Sequence, residues 1–221
     1  MSDPKTHSSR LTDRLREEIL SGAVPPASKL KLAPLAERFE VSRGPLREAA
    51  TRLVSEGLVT LEDQRGFTVA GISREDLLDL TQTRQRIEVL ALRDAIQHGD
   101  LAWEGRVMAA CHMLDRVTPP TGTAGFTNRH AEFHRELVSA CPSAYLLNFR
   151  EQLYALTQRY RNLAAHLPAG KRDIRAEHWG IAEAAVSRDA EGACRRLQDH
   201  LHRTATALLE NYPELFGSYE D

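Results

Sequence analysis

Residues 35–59 read LAERFEVSRGPLREAATRLVSEGLV, and the fold turns on this stretch. Leu32, Leu35, Ala36 and Phe39 recur at helical spacing and give a short helix. Ser42 can N-cap the next one, and Pro45 sits in its first turn, where backbone N–H groups have no intrahelical partner. Leu46, Ala49, Ala50 and Leu53 supply the buried stripe of that helix, and Gly57 ends it. Upstream, Leu11, Leu15, Ile19 and Leu20 mark an earlier helix that stops at Ser21-Gly22, before a turn forced by Pro25-Pro26. Downstream, Leu58–Leu61 and Phe67–Val69 read as two strands joined by the polar tip Glu62–Gly66. Helix, helix, tight turn, helix, β-hairpin is the order of a winged helix-turn-helix.

The remainder has a different texture. Residues 73–221 carry almost only helical periodicity and predict six amphipathic helices: Glu75–His98, Leu101–Val117, Gly125–Cys141, Ala144–Ala165, Ile174–Ser187 and Ala190–Tyr212. Turn chemistry separates them at Gly99-Asp100, Thr118–Thr123, Pro142-Ser143, Pro168–Gly170 and Arg188-Asp189. Short loops between such helices make an antiparallel bundle. The expected class is therefore mainly α, with an N-terminal winged helix-turn-helix at residues 1–72 and an all-helical domain at 73–221.

Composition narrows the function. The 221 residues are 42% hydrophobic and 27% charged, which excludes a disordered polymer, a collagen and a disulfide scaffold. Net charge is −2, split +1 and −3 between the two blocks, so any nucleic-acid role must come from a local patch. Cys111, Cys141 and Cys194 are odd in number and form no CxxC pair, which suits a reducing cytoplasm. The first residues lack the apolar core of a signal peptide, and no run approaches the roughly 20 apolar residues of a membrane span. A cytoplasmic protein with no membrane partner is expected.

Arg43, Arg47 and Thr51 are spaced i, i+4, i+8 and share one face of the third helix, opposite its apolar stripe. A guanidinium fork there can take guanine O6 and N7 together, or grip phosphate. Arg65-Gly66 at the wing tip suits a close approach to phosphate or the minor groove. Spacing alone fits a solvated helix face equally well; the element order, Ser42 and the wing favour double-stranded DNA.

Three segments, LREEILSGAVPP, then LAERFEVSRGPLREAATRLVSEGLV, then RGFTV, resemble the DNA-binding domain of the GntR family of bacterial transcription regulators, over about residues 8–70. The resemblance implies that Arg43 and Arg47 read the operator and that Gly66 approaches the minor groove. Two positions depart from the family pattern. Ala27 stands where glycine is usual, and Gly44 where threonine is usual, which removes a hydroxyl able to contact phosphate.

In the second block four histidines are aimed at the bundle interior. His130 and His134 share a stripe with Phe126, Phe133, Leu137 and Cys141; His178 shares one with Ile174, Ile181 and Ala185; His200 lies among Leu197, Leu201 and Thr204. His202 and His7 point to solvent. Each imidazole taken singly reads as a hydrogen-bonded core histidine. Four converging, two of them at i, i+4, suggest a metal site. Arg84 and Glu88 fall on the buried stripe Leu77, Leu80, Ile87, Ala91, Ala95. A buried guanidinium needs an anion, either Glu88 one turn later or the carboxylate of a bound effector.

The segments TRQRIEVLALRDA, HAEFHREL and EHWGIAEAAVSRDAEGACRRLQDHL resemble the FCD effector domain of FadR-type GntR regulators, over most of residues 75–205. Six bundle helices are similar to the VanR-type subgroup. In that family a D-x3-H pair and two later histidines hold a divalent metal beneath the effector cavity, which carries over to His134, His178 and His200. His130 occupies the aspartate position, and Ser143 stands where asparagine is common. A nitrogen-rich set suits zinc or nickel, or copper, and disfavours magnesium or calcium. The resemblance implies a homodimeric repressor of a catabolic operon, bound to a palindromic operator. Its effector would be a small organic acid held by Arg84, Glu88 and the metal. Two other readings stand beside it: a regulator whose effector is the metal ion itself, and a zinc hydrolase with Glu88 as the only placed base.

Overall fold

The structure is a computed structural model that describes residues 7–117, 124–164 and 172–217. The chain runs α1 (His7–Leu20), α2 (Leu32–Arg38), α3 (Arg43–Ser55), β1 (Val59–Glu62) and β2 (Gly66–Val69). There follow α4 (Arg74–His98), α5 (Leu101–Asp115), α6 (Ala124–Val138), α7 (Ala144–Leu163), α8 (Ile174–Val186), α9 (Ala190–Asn211) and a short α10 (Glu214–Gly217). The fold is mainly helical, a winged helix-turn-helix followed by a helical bundle. The predicted loops Thr118–Thr123 and Pro168–Gly170 lie outside the described residues, as does the side chain of His7.

In the N-terminal unit, Leu15 and Ile19 of α1 close over Leu46, Ala49, Ala50 and Leu53 of α3, with Phe67 and Val69 from the hairpin beneath. The hairpin pairs Val59 with Val69 and Glu62 with Gly66. Gly66 has φ 82, a left-handed conformation that closes the tip without a Cβ penalty. Residues 27–30 pair with the free edge of β2, through Ala27 N–H to Val69 O (3.1 Å), Val69 N–H to Ser28 O (2.9 Å) and Leu30 N–H to Phe67 O (2.9 Å). Ala27 adopts φ 57 to do so. The glycine usual at that position is thus explained by backbone geometry, and alanine sits there under strain.

Side-chain caps set the bundle helices. Ser73, Asp100, Ser143, Asp173 and Asp189 each accept a backbone N–H from the first turn of the helix that follows. Each expected helix end is met within three residues. The largest difference is α6, which stops at Val138 because the N–H groups of Ser139 and Cys141 turn back to Glu136 and Val138 ahead of Pro142. On α4 the buried stripe is Leu77, Leu80, Thr81, Arg84, Glu88, Ala91, Leu92, Ala95 and Ile96. Ile87, expected on that stripe, is only partly buried, and Leu92 takes the interior instead.

A third apolar cluster lies where the two units meet. It contains Ile72, Leu77, Leu80, Tyr160, Ala164, Ala205, Leu208 and Phe216, and Leu156 of α7 packs against both it and the winged-helix core. Tyr160 Oη donates to Asp76 at 2.5 Å, and Asn162 Nδ2 donates to Leu20 O at 2.8 Å. Helix α7 is therefore shared: one face lines the bundle interior, the other carries the winged helix.

Candidate nucleic-acid interface and metal centre

On α3, Leu46, Ala49, Ala50 and Leu53 turn inward, which leaves Arg43, Arg47 and Thr51 exposed on the opposite face. The Arg47 guanidinium lies 5.9 Å from the Phe67 ring centroid, so it leans toward the wing. The Thr51 hydroxyl donates to Arg47 O at 2.9 Å, which leaves its oxygen able to accept. Ser42 holds the N-cap position with extended backbone, yet its hydroxyl accepts no bond from α3; the expected side-chain cap is absent, and the hydroxyl faces solvent. Arg65 stands at the wing tip beside Gly66 and is not a free cation there, since Nη1 lies 3.3 Å from Glu62. An exposed pair of that kind is worth only about 0–1 kcal/mol and yields to a phosphate. A Cβ at Gly44 meets nothing within 4 Å, so the missing side chain leaves open space on the reading helix.

In the bundle, α6 contributes His130 and His134, α8 His178 and α9 His200, all four buried. One ring nitrogen from each lies within 4.8 Å of the others. A tetrahedral Zn–N shell with bonds of about 2.0–2.1 Å needs nitrogens roughly 3.3 Å apart, so a modest contraction would close this set. His178 Nε2 is buried with no hydrogen-bond partner, the state of a lone pair kept for a cation. Burial keeps the rings neutral. It lowers His130, with the Arg161 guanidinium adding to it, and lowers His134 and His178, with His200 adding to it. For His200 burial outweighs the hydrogen bond to Glu177 and brings the value to about 4. A neutral imidazole set fits a borderline metal such as zinc or nickel.

Two side chains that sequence reasoning missed orient the ligands. Glu177 Oε2 accepts from His200 Nδ1 at 2.9 Å, which leaves Nε2 of that ring for a ligand. Burial works against the Glu177 charge, yet bonds from His200 and Arg172 hold it well below the usual carboxylate range. Tyr154 Oη lies 2.9 Å from His130 Nδ1. The ring of Tyr154 in turn carries the guanidinium groups of Arg84 and Arg150, 4.9 and 4.7 Å from its centroid.

Those two arginines share one buried carboxylate. Arg84 Nε donates to Glu88 Oε1 at 2.5 Å, and Arg150 Nε lies 3.8 Å from the same oxygen. Arg150 Nη1 also reaches the half-exposed Glu151 at 2.8 Å. Arg84 Nη2, Arg150 Nε and Arg150 Nη2 remain buried without a hydrogen-bond partner. Glu88 is thus the structural mate of Arg84, and unused N–H groups remain for a further anion. Arg150 and Tyr154 were legible in principle: with Thr157 and Arg161 they make a polar stripe at i, i+4, i+7, i+11 along an otherwise apolar helix face.

An exposed arginine-bearing recognition helix with a wing, joined to a helical domain, defines a DNA-binding transcription regulator. The chain belongs to the GntR family of bacterial regulatory proteins: that family's description matches residues 7–69, and the FCD domain matches residues 79–203. It is 36% identical over 203 residues to the HTH-type transcriptional regulator BphR of Paraburkholderia xenovorans (strain LB400), covering 89% of this chain and 83% of that protein. It is 33% identical over 198 residues to the HTH-type transcriptional repressor GlaR of Escherichia coli (strain K12), covering 85% and 89%. The solved structure of E. coli McbR/YncC superposes with a TM-score of 0.80 at 20% identity, covering 94% of this chain and 99% of that one, a likeness of fold. These relatives are transcriptional regulators and not enzymes, which removes the hydrolase reading; Glu88, bound to Arg84, offers no free base either. Among the described residues no helix is long and apolar enough to cross a membrane.

Proposed function

We propose that the chain is a homodimeric repressor of a catabolic operon that senses a small organic acid at a metal-containing pocket. Residues 1–72 would bind a palindromic operator and residues 73–221 would dimerise and hold the effector. The observation that carries the reading is the convergence of His130, His134, His178 and His200 beside two buried arginines with unused N–H groups. When bound, zinc or nickel would offer a Lewis-acidic contact for an effector carboxylate. Arg84 and Arg150 would take the anion's remaining oxygens, and Glu88 would hold both guanidiniums in place. In the winged helix, Arg43, Arg47 and Thr51 would meet the major groove, with Ser42, Arg65 and Gly66 at the phosphates or the minor groove.

The test is fluorescence-anisotropy binding to the DNA upstream of the chain's own gene against unrelated DNA, at two salt concentrations. Preference for the upstream DNA is expected, with Arg47→Ala costing about 1–3 kcal/mol. Zinc or nickel together with a panel of organic acids should then change that affinity. Equal, salt-sensitive binding to both DNAs would mean a phosphate contact only and would overturn the operator assignment.

A further inference from the structure

Three of the guanidiniums around the histidine cluster have a carboxylate: Arg84 bonds to Glu88, Arg150 to Glu151 and Arg172 to Glu177. Arg161 of α7 has none among the described residues. Its Nη1 lies against the face of the His130 ring, 2.8 and 3.3 Å from the two nitrogens, and 3.2 Å from Gln158 Oε1. A neutral imidazole and a carboxamide carry no countercharge. The connections at residues 118–123 and 165–171 add none, since they contain neither Asp nor Glu. A charge held inside a protein without a counterion is costly, and it favours any anion that can reach it. We propose, resting on the organic-acid reading given above, that Arg161 is a second anion seat and that the effector is a dicarboxylate.

Tyr154 stands between the two seats. Its ring carries Arg84 and Arg150, whose buried N–H groups without hydrogen-bond partners form the first seat. At its other end the hydroxyl and Arg161 Nη1 approach the same atom, His130 Nδ1, at 2.9 and 2.8 Å. The Phe126 ring centroid lies 5.8 Å from the Arg161 guanidinium carbon and makes one side of the second seat apolar. A short molecule with a carboxylate at each end can reach both seats. Charge balance points the same way. Arg84, Arg150, Arg161 and Arg172 face only Glu88, Glu151 and Glu177, which leaves one positive charge unmatched. Glu151 is half exposed, so solvent screens its contribution and the interior excess is larger. The excess is larger still with a divalent ion in place. A single carboxylate at Arg84 and Arg150 would leave Arg161 as it is; a second one would pair with it as a charge-assisted hydrogen bond.

The experiment is isothermal titration calorimetry of the full-length protein as isolated, at neutral pH. The probes are straight-chain dicarboxylates from malonate to adipate and the monocarboxylates of equal length. At least one dicarboxylate should bind about tenfold or more tightly than its monocarboxylate, the worth of one charge-assisted hydrogen bond. Arg161→Gln should remove that preference and leave monocarboxylate affinity within about twofold. Arg161→Met is the second neutral variant if the glutamine chain does not fold, and the comparison of the two series on the wild type needs no variant. A preference that survives both substitutions would assign the second carboxylate to another group and overturn the role of Arg161. Equal loss in both series would show that Arg161 shapes the site without reading a second charge, and would overturn it too. Equal affinity of the wild type for the two series would overturn the dicarboxylate while the organic-acid reading stands. Binding of neither series would overturn that reading as well.

Discussion

Asn162 donates from Nδ2 to the carbonyl of Leu20 at 2.8 Å, and this bond joins α7 of the helical bundle to the last turn of the first helix. Two residues further on, a Cβ placed on Gly22 would come within 2.8 Å of Leu163 Cδ2, and Gly22 itself has φ 81. Asn162→Ala should therefore cost about 1 kcal/mol, a fall of roughly 2–4 °C in Tm. Gly22→Ala should cost more, since it adds left-handed strain to the collision. Calorimetry of the two variants checks the order; a Gly22→Ala protein as stable as the parent would mean that position 22 holds neither the left-handed conformation nor the contact with Leu163.

Ala27 is held at φ 57 by its bond to Val69 O and its pairing with the wing. A glycine there would relieve about 1–2 kcal/mol of left-handed strain against 0.5–1 kcal/mol of added chain entropy. Ala27→Gly should stabilise the protein by roughly 0.5–1 kcal/mol, read as an increased midpoint in urea with an unchanged slope. A lower midpoint would show that the alanine is accommodated without strain.

Glu177 fixes the proton of His200 on Nδ1 and is itself held by Arg172 Nε at 2.7 Å. Glu177→Gln keeps the shape and removes the charge. Zinc or nickel affinity should fall by about 10- to 100-fold in a competition titration, with operator affinity of the metal-free protein unchanged. Retained metal affinity would place His200 outside the ligand set.

The buried histidines also set a pH dependence for the metal-free protein. Their folded values lie below the ordinary one of 6.5, that of His200 at about 4. The unfolded chain therefore takes up protons that the folded chain refuses, and stability rises with pH. The contribution is complete above about pH 6.5 and is lost as pH falls toward 4, by about 1.4 kcal/mol per pH unit for each histidine still neutral. Melting should occur at a markedly lower temperature at pH 5 than at pH 7.5, and His178→Gln should flatten that slope. Identical slopes for parent and variant would mean that His178 is not buried in neutral form.

Much of this architecture was legible in the chain. Ser42, Pro45 and Gly57 bracket α3, and the apolar periodicities of the bundle place its helices, because turn chemistry and burial act locally. The four histidines were equally visible, each on the apolar side of its own helix. What escaped was non-local. Glu177 neighbours His178 in sequence but turns to His200 on another helix, and Arg172 precedes α8 where no periodicity guides the reading. Arg161 gave a partial signal as part of a polar stripe; its contact with His130 depends on how α6 and α7 cross. Ile87 and Leu92 exchanged roles for a related reason, since the neighbours of α4 decide which of two adjacent stripes is covered.

Three hydrogen bonds that join the two units end on backbone. Asn162 reaches the carbonyl of Leu20, and Arg159 reaches those of Ala70 and Gly71. A carbonyl is present whatever side chain occupies the position, so these bonds follow the backbone path of the winged helix and not its side chains. Mutations on α3 and the wing can alter the operator that is read without rewriting these attachments. A foreign winged helix of equal backbone course would keep these bonds but would also have to seat Leu156 and clear Leu163. The hydrogen-bonded part of the junction is thus tolerant of side-chain change in the winged helix.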